Sequence, residues 1–149
     1  MKYFLTLFTL LVFTVHSFSQ DLSNYNLDDG VIAEGYDVVS YFSNKAVKGK
    51  KSKSYNYKDI TFYFSSNENL QTFIKNPEMY MPQYGGYCAY AIAQKGEKVG
   101  INPKTFEIRD NKLYLFYDMF FTNTLDMWLE NNPEQLKKQA DDNWIKIIE

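Results

Sequence analysis

The stretch Tyr84-Gly85-Gly86-Tyr87-Cys88-Ala89-Tyr90-Ala91 constrains this chain more tightly than any other. Two adjacent glycines let the backbone take positive φ with no side-chain penalty, so the stretch opens as a sharp turn. Tyr87 to Lys95 then reads as a short helix that Gly96 stops. Any fold must therefore accommodate a bend and a helix start within a few residues of each other. Cys88, the only cysteine, falls in the first turn of that helix. Free backbone N–H groups and the helix dipole favour an anion there, so its thiol is expected to ionise more readily than an ordinary one.

The beginning of the chain removes other chemistry. An apolar run from Tyr3 to Val15 follows Met1-Lys2, and Ser17 and Ser19 stand behind it. Residues 1–19 read as a secretory signal, and the mature chain as exported, periplasmic or secreted. The run is too short for a good membrane span, and no later stretch is apolar enough for one. The single histidine, His16, lies inside that segment. Its removal excludes a histidine general base, a Cys-His pair and histidine-ligated metal within one chain. One cysteine allows no internal disulfide, so Cys88 is expected to be buried, metal-bound or joined to another molecule. The formal net charge of −2 lacks the basic footprint that nucleic-acid binding requires.

The remaining chain reads as a 20–34 arm followed by one α+β domain over residues 35–149. Thirteen tyrosines and twelve phenylalanines favour strands and a bulky core. Tyr55-Asn56-Tyr57 and Ile60 to Phe64 flank Lys58-Asp59, a tight-turn pair. Thr105 to Arg109 and Lys112 to Tyr117 flank Asp110-Asn111, whose residue types tolerate the left-handed geometry of a primed hairpin turn. The lysine-heavy Ser43–Ser54 segment is expected to be a solvated loop. Ser65-Ser66-Asn67-Glu68 has a capping-box pattern, opening a helix with Leu70, Phe73 and Ile74 on one face and an end at Asn76, before Pro77. A helix from Thr122 or Thr124 to Asn131 and another opened by Pro133 close the chain. The expected architecture is a small, mainly antiparallel sheet with hairpins, packed against several short helices.

Gly35 to Phe42, Phe62-Tyr63-Phe64-Ser65-Ser66, Asn76-Pro77-Glu78-Met79-Tyr80 and Pro82 to Ala89 together resemble the exported single-domain branch of the YHS-domain family. The likeness continues through Asp110 to Leu115 and Ala140-Asp141-Asp142-Asn143-Trp144, in order and over nearly the whole mature chain. It implies a small domain associated with metal handling. The short metal-associated version of that domain carries cysteines where this chain has Ser65 and Asn69, so of the thiol ligands only Cys88 carries over.

Three functions are compatible with these residues. A non-catalytic binding protein would hold copper or another soft metal ion through Cys88, with Met79 and Met81 as thioether partners. Met119 and Met127 are further sulfur donors. Two chains linked at Cys88 are the other route to a second soft ligand, and a monomer the alternative state. A small-ligand module would use Tyr84, Tyr87 and Tyr90, with Asp37, as pocket residues for a planar molecule. In a purely structural module Cys88 is core packing. A thiol enzyme is disfavoured, because neither a histidine base nor a resolving cysteine accompanies Cys88.

Overall fold

Two pairs of left-handed residues set the hairpins. Lys58 and Asp59 take φ of 53° and 63°, and Asp110 and Asn111 take 50° and 55°. Each pair makes a two-residue primed turn whose twist matches the flanking strands. In a computed structural model describing residues 21–149, the first turn joins β3 (Lys50–Tyr57) to β4 (Ile60–Phe64), with Tyr57 opposite Ile60. The second joins β5 (Asn102–Arg109) to β6 (Lys112–Phe116), with Arg109 opposite Lys112. The expected signal segment, 1–19, lies outside the described residues.

Two short strands, β1 (Leu27–Asp28) and β2 (Val31–Ile32), complete a four-stranded sheet in the order β1-β2-β4-β3. The β2–β4 pairing is parallel, through Val31 and Thr61, and the others are antiparallel. A third small hairpin, β7 (Asp118–Met119) with β8 (Thr122–Asn123), precedes the last two helices. The helices are α1 (Asn67–Lys75), α2 (Pro77–Tyr80), α3 (Ala89–Lys95), α4 (Thr124–Glu130) and α5 (Pro133–Ile148). The domain is α+β and its strand pairings are mainly antiparallel. No helix among the described residues is long and apolar enough to cross a membrane.

Strand β6 explains how one chain fills two cores. Its run Leu113-Tyr114-Leu115-Phe116 is buried on both faces. Alternate side chains of a strand point to opposite faces, and here the two sets enter different clusters. Leu113 and Leu115 join Val38, Tyr41, Phe62, Phe64, Phe73 and Cys88. Tyr114 and Phe116 join Tyr84, Ile92, Trp128, Leu136 and Ala140. The 82–88 segment runs along the free side of β6, with parallel bridges from Pro82 to Leu113 and from Cys88 to Leu115. Between these two bridges the Gly-Gly stretch folds as a 3-10 turn over Gln83–Gly86.

Local signals in the sequence set most helix ends. Ser66 Oγ accepts the Asn69 N–H at 3.0 Å, and Asn76 closes α1. Gly96, at φ 64°, ends α3 in a left-handed cap. Three expectations change. Helix α3 begins at Ala89, two residues late, because the Tyr87 backbone is extended, Cys88 is non-helical at ψ 114°, and the Cys88 N–H is taken by Val99 O at 2.9 Å. Ile74 is half exposed, and Phe73 carries the buried face of α1. The lysine-rich segment is not all loop, since Lys50, Lys51 and Lys53 lie on β3. The arm is held: Asn26 donates its backbone N–H to Gly85 O at 2.8 Å and its side-chain amide to Gly86 O at 3.2 Å.

Candidate functional site

Cys88 is the N-cap residue of α3, yet its side chain caps nothing. The residue is fully buried. Its Sγ lies 3.3 Å from the Thr124 hydroxyl oxygen and accepts the Tyr117 N–H at 3.4 Å. The Thr124 hydroxyl in turn sits 2.7 Å from Tyr117 O as donor. Hydrogen bonds from α4 and the end of β6 therefore hold the sulfur in place. It borders a small, mainly apolar cavity of about 240 Å3, shared with Tyr90, Tyr117, Thr122, Thr124 and Met127. Met127 is the methionine on that wall. Met81 is buried and lines a different cleft, and Met79 is half exposed on α2. No group of three or more His, Cys, Asp or Glu residues capable of holding a metal occurs among the described residues.

Asp37 is fully buried and is a structural junction. One carboxylate oxygen accepts the Val39 and Ser40 N–H groups at 3.0 and 3.4 Å. The other accepts the Ser65 N–H at 2.8 Å, the Ser65 hydroxyl at 2.6 Å and the Asn69 amide at 2.7 Å. A buried charge is tolerated when its lone pairs are this fully used. The arrangement ties the 37–40 turn to the end of β4 and the start of α1. Ser65 and Asn69 stand together, but as donors to a carboxylate. Asp37 lines neither the Cys88 cavity nor the larger cleft.

The larger cleft, of about 530 Å3, is formed by the arm, the turn after α2 and the outer part of α5. Its floor is Tyr84, a residue with a bulky side chain held at φ 52°. Gly85 and Gly86 follow at 60° and 82°, so three consecutive left-handed residues reverse the chain. A tyrosine in that region costs free energy that the surroundings must offset. Burial of the ring (5 % exposed) and a hydroxyl bond to Asp141 Oδ1 at 2.9 Å offset it. Burial first, and then the bond to Asp141, push the Tyr84 hydroxyl well above an ordinary tyrosine, so it remains a donor. Asp141 is half exposed and its second oxygen accepts Lys137 Nζ at 3.1 Å. Trp144 packs edge-on to Tyr84 with centroids 6.0 Å apart.

Across the cleft Glu78 is paired with Lys58 and accepts the Tyr57 hydroxyl at 2.8 Å. The hydrogen bond from Lys58, then that from Tyr57, hold its carboxyl below the usual range. The cleft is lined by Asp21, Glu78, Asp141 and Lys58, with Glu78 paired to Lys58 and Asp141 to Lys137. The expected pocket tyrosines separate: Tyr84 floors this cleft and Tyr90 lines the Cys88 cavity. Tyr87 packs on Trp144 and donates its hydroxyl to Tyr25 O at 3.1 Å. Asp141 and Trp144 belong to the motif that carries the family likeness. Asp141 stands 57 residues from Tyr84 in sequence, and no local signal announced the alliance of Tyr84 with Asp141 and Trp144. No family model, curated protein or solved structure matches the chain.

Proposed function

We propose that the chain is an exported, non-catalytic binding module of the YHS type, taking a small planar cation in the cleft floored by Tyr84. One observation carries this reading: a tyrosine held in a costly left-handed conformation lies buried beneath a cleft of ligand size and fixes the half-exposed Asp141 at its edge. Sparsely populated backbone geometry persists where surroundings over-determine it and is found often at ligand sites. The aromatic wall of Tyr25, Tyr84 and Trp144 suits a flat body, and the carboxylates of Asp21 and of Asp141, the second shared with Lys137, suit a positive charge. The chain itself places a cation against this wall, with Lys98 Nζ 5.9 Å from the Trp144 ring centre. Tryptamine, indole and indole-3-acetate share one ring system and differ in charge. Two-dimensional NMR should show saturable shifts of the Trp144 indole N–H for tryptamine, and weak or no shifts for the acid. Asp141→Asn keeps an acceptor for Tyr84 and should weaken tryptamine at least tenfold. A wild-type spectrum indifferent to all three compounds would sink the reading.

A second reading, soft-metal binding at Cys88, rests on the sharing of one cavity by Cys88 and Met127. A thiolate and a thioether are suitable Cu(I) ligands. Competition with a Cu(I) chelator under reducing conditions should then show binding that Cys88→Ser and Met127→Leu abolish. Met79→Leu with Met81→Leu should leave it intact. Equal metal uptake by wild type and Cys88→Ser removes this second reading.

A further inference from the structure

The most anomalous surface of the domain is the tip of the β7–β8 hairpin. Phe120 and Phe121 are 92 % and 104 % exposed, and neighbouring Met119 is 49 % exposed. Phe120 sits at φ 57°, a conformation that hairpin turns usually give to Asn, Asp or Gly. The stalk beneath it is anchored. Asp118 takes the Asn102 amide on its carbonyl at 3.2 Å and the Thr105 hydroxyl on its carboxylate at 2.9 Å. On the other side Thr124 donates its N–H and its hydroxyl to Tyr117 O. Two phenyl rings are therefore held out in solvent on a fixed mount, and single exposed apolar residues are common where such pairs are not.

The Cys88 cavity opens beside this mount, and Thr122 belongs to both, as the first residue of β8 and as part of the cavity wall. An apolar cavity of about 150 Å3 accepts a benzene ring, so one of about 240 Å3 has room for a phenyl side chain. The rings do not enter their own cavity, since both are fully exposed. We propose that the Phe120-Phe121 tip of one copy docks in the Cys88 cavity of a second copy, reciprocally, to form a two-fold dimer. A knob and a hole side by side on one face satisfy the self-complementarity that a closed two-fold interface demands. Each ring buries about 150–250 Å2. One ring per cavity, two in the dimer, buries with the walls it covers on the order of 600–1,000 Å2, the size of a weak, concentration-dependent interface.

Charge argues against a lipid bilayer as the occupant. No lysine or arginine occurs between Lys112 and Lys137, whereas Asp118, Asp126 and Glu130 flank the tip. Lys95 and Glu97 on the cavity wall offset each other, so an anionic membrane surface gains no net attraction to that face. The proposal also frees dimerisation from the Cys88 sulfur, which is buried and serves here as cavity floor.

Sedimentation equilibrium of the purified protein, with a metal chelator and reductant present, reads the association directly. Wild type should dimerise with concentration. Phe120→Ser with Phe121→Ser removes the knob, and Thr122→Trp, at an exposed position, obstructs the hole. Each variant alone should weaken association at least tenfold with unchanged circular dichroism. A one-to-one mixture should recover a heterodimer, because one intact knob then meets one intact hole. The proposal is overturned by a wild type that stays monomeric to about 1 mM, by variants that associate as well as wild type, or by association that requires added Cu(I). Phe-dependent cosedimentation of a monomeric wild type with phosphatidylcholine vesicles would overturn it too, and assign the tip to a lipid surface.

Discussion

At the scale of single residues, burial decides what the polar side chains do. Asp37 accepts five hydrogen bonds at zero exposure, so Asp37→Ala strands several buried donors. The expected loss is about 3 kcal/mol or more, read from urea unfolding. Tyr114 is the opposite case: among the described residues its hydroxyl is the buried side-chain polar atom without a hydrogen-bond partner. Tyr114→Phe removes that desolvated group at nearly constant volume and should stabilise the domain by about 1 kcal/mol. Cys88 is enclosed and hydrogen-bonded. Its alkylation in the native protein should be slow, and should rise to that of a free thiol only in denaturant. Fast native labelling at neutral pH would contradict the enclosed geometry and restore the expectation of an activated, reachable thiol.

At the scale of elements, the Gly-Gly turn is fixed by what lies against it. A Cβ at Gly85 would fall 1.8 Å from the Asn24 carbonyl oxygen, at a backbone φ of 60°. Gly85→Ala must therefore displace the arm, breaking the Asn26 bond to Gly85 O, and should cost on the order of 3 kcal/mol. Limited proteolysis locates the damage: the bonds around Ser23 to Asn26 should become cleavable before any in β5 or β6. A variant that loses stability without exposing the arm would place the strain elsewhere. The same logic explains α3, whose start is set by the non-helical Cys88 backbone, bridged to Leu115 of β6 and bonded through its N–H to Val99 O. Helix propensity alone would have begun it two residues sooner.

At the scale of the whole molecule, β6 is a wall common to two cores. A strand buried on both faces makes each core depend on the other, so unfolding should be one cooperative event. Trp128 reports on one core and Cys88 on the other. Tryptophan fluorescence and thiol accessibility should give the same urea midpoint, and Leu115→Ala should move both together by the 2–5 kcal/mol typical of such cavities. Separated midpoints would mean that the two clusters are independent folding units. The cleft floored by Tyr84 spans the arm, the turn after α2 and α5, so it should vanish in the same transition.

The sequence by itself determined the features whose cause is local. Asp110-Asn111 specifies a primed turn because both residue types tolerate the left-handed region, Lys58-Asp59 marks a tight turn between two strand-like runs, and those turns dictate antiparallel hairpins. Ser66, Gly96 and Pro133 mark helix ends because caps act within a few residues. Only the tertiary structure decided which long-range groups meet. It set Asp37 against Ser65 and Asn69, making a junction from a residue expected in a pocket. It set Tyr84 against Asp141 and Trp144, making a cleft. It put Met127, instead of Met79 or Met81, on the wall beside Cys88. The two-residue hairpin at Phe120-Phe121 has neither Asn nor Gly, so no turn chemistry announced it. Its geometry comes from the bonds of Asp118 and Thr124 to neighbouring strands. Local signals are short-range sterics and capping, whereas these encounters depend on how alternating faces pack, which no single segment encodes.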